Sequence, residues 1–193
     1  STVTQASFSS GSATVTDWRY SEVGSFTMRA SASNYLNSGV TAQTDNGVVG
    51  RFTPAYFDVT RIHGCSGGAA FTYSGQTFTV TATARAANSG TVTANYDGTL
   101  GFAKATTVSD AGSTANFTNN DLAAANFSGG ARTQSTVTYT FPAKETAPAT
   151  LTLRAIDTDS VSSAGHTEET AEIRSGRIHI FNAYGSELVD LPV

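Results

Sequence analysis

The sequence predicts an all-β protein, an antiparallel β-sandwich of the immunoglobulin-like kind. Three observations lead there. Apolar and polar side chains alternate with period two in segment after segment, which sends them to opposite faces of a strand. Thr, Val and aromatic residues are abundant while Lys, Leu and Met are scarce, a mixture suited to a pleated, half-buried surface. Turn residues separate the segments and no long amphipathic helix lies between them, so the pattern is that of a sandwich or barrel and not of a βαβ fold.

The elements follow in chain order. Alternation over Ala13–Trp18 and again over Ser25–Ala30, on either side of Ser21-Glu22-Val23-Gly24, reads as a hairpin. Asn34–Gly39 closes that unit with turn residues, and Gly47–Phe52 reads as a strand that ends before Pro54. A second series begins at Tyr56–Thr60 and enters a Gly-rich loop at 63–69. Ala70–Tyr73 and Phe78–Ala84 flank Ser74-Gly75-Gln76 and read as another hairpin. Thr91–Tyr96 follows Asn88-Ser89-Gly90 as a further strand. The stretch from Lys104 to Gly130 is small, polar and irregular, and reads as a long insertion loop with one short helical turn near Asp121–Ala125. Strands resume at Thr133–Phe141, Ala149–Asp157 and Gly176–Ala183. The strands after Tyr56 suffice for one sandwich, over residues 51–193. Residues 1–50 hold too few for a second, and read as a partial β domain or a hairpin extension. A short echo supports a junction near residue 50: Gly50-Arg51-Phe52 resembles Gly176-Arg177-Ile178, and each is followed within a few residues by Tyr56 or Tyr184.

Composition narrows the function classes. Charged residues make up only 13%, so Ser, Thr, Asn and Gly must supply the polar surface. Disorder is excluded by 11 Phe and 7 Tyr spread along a chain whose net charge is only −4. Basic residues form no stripe, which removes the electrostatic footprint of a nucleic-acid binder. No apolar run reaches the roughly 18–20 residues of a membrane helix. Ser1 opens a polar stretch with no signal peptide, and the chain reads as an internal or mature segment.

Candidate chemistry is sparse. Cys65 has no partner for an internal disulfide. It is a free thiol, or pairs with a cysteine outside this segment as suits a periplasmic or outer-surface setting, or is a catalytic thiol that would need His63 as its base. Asp157-Thr158-Asp159-Ser160 has the alternating oxygens that open a calcium loop, but Ser162 stands where that loop needs Gly, so a solvated turn is the plainer reading. His63, His166 and His179 have no metal-ligand spacing. Gly64-Cys65-Ser66-Gly67-Gly68 lacks the spacing of a nucleophile elbow. Glu168, Glu169 and Glu172 read as a charged, solvated stretch near the start of a strand. Asn116-Phe117-Thr118 and Asn126-Phe127-Ser128 match a glycosylation sequon, which means little if the source is bacterial. No catalytic, cofactor-binding or metal-ligating residue is assigned, and no cofactor is expected.

Several segments together carry a resemblance: Tyr20–Phe26, Val49–Phe57, Phe71–Gln76, Asn95-Tyr96 and Ser175–Leu188. As a set they are similar to the uncharacterised domain of MshQ-like proteins. Those are large exported proteins encoded with the MSHA (mannose-sensitive haemagglutinin) type IV pilus system. The resemblance covers nearly the whole chain and is weakest over 104–130. It implies an exported bacterial protein at the outer surface or in the periplasm, pilus association, and a longer parent chain. It brings no catalytic or ligand residues.

Two functions from different classes compete. The first is a non-catalytic structural or adhesive module whose partners are other domains of the same long protein or pilus components, with exposed sheet edges as docking sites. The alternative is a carbohydrate-binding module using exposed aromatics, for which Trp18, Tyr20, Tyr35 and Tyr184 are the candidates; their burial would end that reading. A hydrolase would require a cleft that joins a His, an acid and Ser66 or Cys65.

Overall fold

The computed structural model describes residues 8–16, 18–34, 37–39, 41–44, 47–65 and 70–176. Among them are thirteen strands and a short 3-10 turn at Ala124–Asn126. The strands are β1 (Gly24–Met28), β2 (Ser31–Ala32), β3 (Ala42–Gln43), β4 (Gly47–Phe52), β5 (Tyr56–Ile62), β6 (Thr72–Tyr73) and β7 (Thr77–Arg85). They continue with β8 (Thr106–Asp110), β9 (Phe117–Thr118), β10 (Asp121–Leu122), β11 (Ala131–Tyr139), β12 (Ala149–Asp157) and β13 (Thr170–Arg174). Two sheets carry the body, one in the order β10-β8-β12-β13-β6 and the other in the order β5-β7-β11-β9.

Alternation explains how the sheets meet. Every second residue of β7 (Phe78, Val80, Ala82, Ala84) is buried, and Phe57 and Val59 of β5 match them. On the other sheet Leu151, Leu153 and Ala155 of β12 and Ala171 and Ile173 of β13 turn inward. All belong to one apolar cluster, so the body is an all-β sandwich as the period-two pattern requires. Small Ala side chains (Ala82, Ala84, Ala155 and Ala171) are part of that cluster, and aromatic rings pack in it as well: Tyr96 lies edge-on to Phe57 (5.5 Å) and to Phe127 (5.1 Å).

A two-stranded arm stands apart from both sheets. In it β1 pairs antiparallel with β4. Gly24 opposes Phe52 but Phe26 opposes Val49, so β4 carries one extra residue. That bulge reverses the parity of the strand beyond it and lets Phe52 stack on Phe26 at 5.9 Å. Gly50 sits there with φ +117°, and a Cβ on it would lie 2.8 Å from the Gly24 carbonyl oxygen, so glycine is needed for both conformation and space.

Four sequence expectations are corrected. Residues 13–16 and 18–20 form no strand; β1 takes β4 as its partner instead. The cause is the segment read as a turn. Val23 is buried in the core and the Glu22 carboxylate accepts the backbone N–H of Asn95 (2.9 Å) and Ala94 (3.2 Å), so the chain is held to the body and does not fold back. The turn at Ser74-Gly75 does not make a hairpin. β6 pairs in parallel with β13 while β7 pairs with β5 and β11; Ser74 N–H donates to Arg174 and Gly75 N–H to Tyr139, one in each sheet. Thr91–Tyr96 is a single bridge at Val92 followed by turns. Most of the expected insertion loop is structural: Val108, Phe117, Leu122 and Phe127 are buried, and β8 is a central strand bonded to β12 and β10. The expected strand at Gly176–Ala183 lies outside the described residues except for Gly176.

Candidate functional site

The residues that lead into β1 form one wall of a surface cleft. Because Glu22 and Val23 are fixed to the body, Trp18, Arg19 and Tyr20 must run along its surface. Trp18 remains 51% exposed and Tyr20 37%. Tyr20 rests on Phe26 and on Phe52, each 5.0 Å between ring centroids, a spacing at which tilted rings attract beyond their buried area. Across from them stand Ala55 and the end of β7 with its following turn, Ala86, Ala87 and Asn88, and Thr93 also lines the cleft. The cleft has a volume of about 330 Å³.

Thr93 has an unusual position. It is 2% exposed, its backbone N–H donates to Ala84 (3.0 Å), and its carbonyl accepts from Tyr96 (2.9 Å). Its side-chain hydroxyl is buried with no hydrogen-bond partner among the described residues, a state that native proteins rarely tolerate without a reason. The neighbouring Val92 faces outward, 37% exposed. Alternation alone would bury the Val and expose the Thr, so nothing in the sequence marked Thr93, and Asn88 carried only a turn signal.

Beside the cleft, the arm is tied to the body by ionic and apolar contacts. Arg51 pairs with Asp159, and the Phe102 ring packs 3.0 Å from where a Cβ on Gly24 would be. The Asp157–Ser160 turn is closed on itself. Asp157 Oδ1 accepts the N–H groups of Asp159 and Val161, each at 2.9 Å, and Oδ2 accepts the Tyr96 hydroxyl at 2.8 Å. Burial raises the Asp157 pKa against the pull of these donors, and the Tyr96 hydroxyl is likewise pushed up by burial. These oxygens are committed to protein donors. Among the described residues no three of His, Cys, Asp and Glu converge as a metal site.

The remaining sequence candidates are scattered. His63 Nδ1 lies 3.2 Å from Thr72 Oγ1, with its pKa lowered first by burial and then by Arg61. Cys65 donates to Gln76 Oε1 at 3.4 Å, and Gln76 in turn bonds the Gly64 carbonyl at 2.9 Å. His166 stacks on Tyr56 at 3.5 Å. Ser66, Tyr35, His179 and Tyr184 lie outside the described residues. The acidic stretch is corrected: Glu168 makes two bonds to Arg154 (2.7 and 3.0 Å) and accepts Ser163 Oγ (2.8 Å). Glu169 pairs with Arg61 and Glu172 with Arg174. Glu168 and Glu169 tie this stretch to β12 and β5, whereas the Glu172–Arg174 pair lies within β13 and is partly solvated. Asn116 and Asn126 are both exposed.

The fold and cleft therefore define an all-β sandwich domain that carries a hairpin arm with an aromatic face. The chain belongs to an uncharacterised domain family, described as DUF6701, third domain, which it matches over residues 22–175. No curated protein and no solved structure gives a match. No helix among the described residues is long and apolar enough to cross a membrane.

Proposed function

We propose that the chain is a non-catalytic structural and adhesive module, immunoglobulin-like in kind, of an exported, MSHA-like pilus-associated bacterial surface protein. The observation that carries this reading is the arm. An isolated two-stranded hairpin is marginal in water, yet here it is held to a well-packed sandwich by Glu22, Val23 and the Arg51–Asp159 pair. It leaves Met28 and Val48 exposed on its two opposite faces, with Trp18 and Tyr20 exposed beside it, so apolar side chains are offered on and next to the arm. A rigid body presenting an apolar arm suits contact with another protein domain or a surface, and the arm serves as a hairpin extension of the sandwich. The similarity to MshQ-like proteins and the family's description as a third domain suit a chain of several domains, so the partners are neighbouring domains or pilus components.

The test is attachment. Cells that make the full parent protein are compared with cells whose copy carries Trp18→Ser, Met28→Ser and Val48→Ser, side chains outside the buried core. Attachment to a surface is expected to fall severalfold at equal amounts of displayed protein. Unchanged attachment at equal display would refute the adhesive role of the arm.

A further inference from the structure

We infer that Asp157 is an acid-responsive latch for the arm: ionised, it secures the base of the arm against the body, and protonated, it loosens that attachment. The device is independent of what the arm contacts. The arm has two polar attachments, one beside each of its strands. Glu22, leading into β1, accepts the backbone N–H groups of Ala94 and Asn95. Arg51 of β4 pairs with Asp159. These attachments land on two different segments of the body. One buried hydrogen bond joins those segments, from the Tyr96 hydroxyl to Asp157 Oδ2 at 2.8 Å. The Asp157 carboxyl, 5% exposed, is thus the point on which both attachments converge.

The surrounding bonds favour the ionised form while the arm is seated. Asp157 Oδ1 accepts the N–H groups of Asp159 and Val161, each at 2.9 Å, and a carboxylate accepts such bonds more strongly than a neutral acid does. They shape the turn that presents Asp159 to Arg51. The same turn holds Ser160 at φ +65°, a conformation that a non-glycine residue keeps only where its surroundings enforce it. Arg51 and Lys104 are the cations that face the carboxyl; Asp159, Glu22 and the Tyr96 hydroxyl are the titratable groups around it. Burial, the largest influence, raises the Asp157 pKa, while Tyr96, the Val161 amide, Arg51 and Lys104 pull it down.

Protonation therefore acts with opposite signs on body and arm. For the whole fold the raised pKa means that the proton favours the folded state, so this group does not weaken the body as pH falls. For the arm, seating Arg51 lowers the Asp157 pKa, so by reciprocity a proton on Asp157 disfavours the seated arm. The proton settles on Oδ2, and the Tyr96 hydroxyl turns to donate to the Lys104 carbonyl, 3.5 Å away. Arg51, itself half-exposed, then faces Asp159 alone, and a solvated pair of that kind contributes little.

The isotope-labelled chain is titrated by NMR from about pH 7.5 to about pH 4, a range that spans ordinary carboxyl titration. The Asp157 carboxyl resonance gives its own midpoint. The amides of β1 and β4 are expected to shift and lose rigidity with that same midpoint, while those of β7 and β12 hold. Asp157→Asn, an uncharged near-isostere, is expected to leave the arm loosened at every pH. Tyr96→Phe removes a donor to the carboxylate and is expected to move the midpoint upward. An arm that does not respond over this range overturns the proposal, as does a midpoint different from that of the Asp157 carboxyl. A pH response that survives in Asp157→Asn overturns it too, and places the switch on Asp159 or Glu22. The comparison of midpoints needs only the parent chain, so it decides the matter even where a variant fails to fold.

Discussion

Glu168 shows how single side chains hold this fold. It lies just before β13 and grips Arg154 of β12 through two bonds while also receiving the Ser163 hydroxyl. Arg154, first through its hydrogen bonds, holds the Glu168 carboxyl below its usual pKa of 4.5. A lowered folded pKa means that the contribution is present above the unfolded pKa and is lost as pH falls through the folded one. Glu168→Gln removes the charge and weakens the pair, and is expected to cost about 1–3 kcal/mol at pH 7. The gap between parent and variant should shrink below about pH 4.5, which denaturant melts at a series of pH values will show. Asp97 acts in the same direction: Thr99 and Gly129 donors lower its carboxyl to a pKa of about 2. Asp157 has the opposite sign. Its pKa is raised by burial, so its contribution declines as pH rises through that value, and the acid limb of the stability curve is the balance of the three.

At the scale of elements, alternation made the long strands legible. β12 was placed at Ala149–Asp157, where it is found, and β4, β5 and β7 lie within a few residues of their expected positions. β5, β7 and β12 bury side chains at alternate positions, which is what their period-two sequence signals, whereas β4 buries none. Pairing was not legible, because adjacent strands here often part company. Ser74 and Gly75 bond to different sheets, which no local turn rule anticipates. The 104–130 region hid a central strand because its buried residues are widely spaced among Thr, Ser and Asn: Val108, Phe117, Leu122 and Phe127. Its register is also set by polar bonds, such as Asn120 Nδ2 to the Val108 carbonyl at 2.7 Å. Of the cleft, Trp18 and Tyr20 were legible as aromatics, whereas Thr93 was not. The arm depends on its bulge, so Gly50→Ala, which meets the Gly24 carbonyl at a positive φ, is expected to loosen it. Hydrogen exchange should speed up in β1 and β4 by at least tenfold while the amides of β7 and β12 keep their protection. Equal protection throughout would mean that the bulge is not what holds the arm.

For the molecule as a whole, the division of labour is between a sandwich core and a surface with few charges. The core is lined with alanines and closed at one end by Phe57, Tyr96 and Phe127. Tyr20, Phe26 and Phe52 gather on the arm, while Phe71 and Tyr73 pair beside Arg174 and Tyr139 and Phe141 pack in a row with Phe117. The buried polar groups are mostly satisfied locally, Asp157 by Tyr96 and its own turn, while among the described residues Thr93 Oγ1, His63 Nε2 and Arg132 Nε are buried without a partner. The proposed adhesive role places such a module outside the cell, where it would act by contact. The measurement that tests this most directly is the accessibility of the domain in intact cells making the full parent protein. A tag placed in the exposed loop at residues 142–147 is probed with a membrane-impermeant antibody and by protease shaving. The account expects labelling of intact cells and loss of the tag on shaving. A tag reached only after both envelope membranes are permeabilised, with a cytoplasmic marker released in parallel, would contradict it.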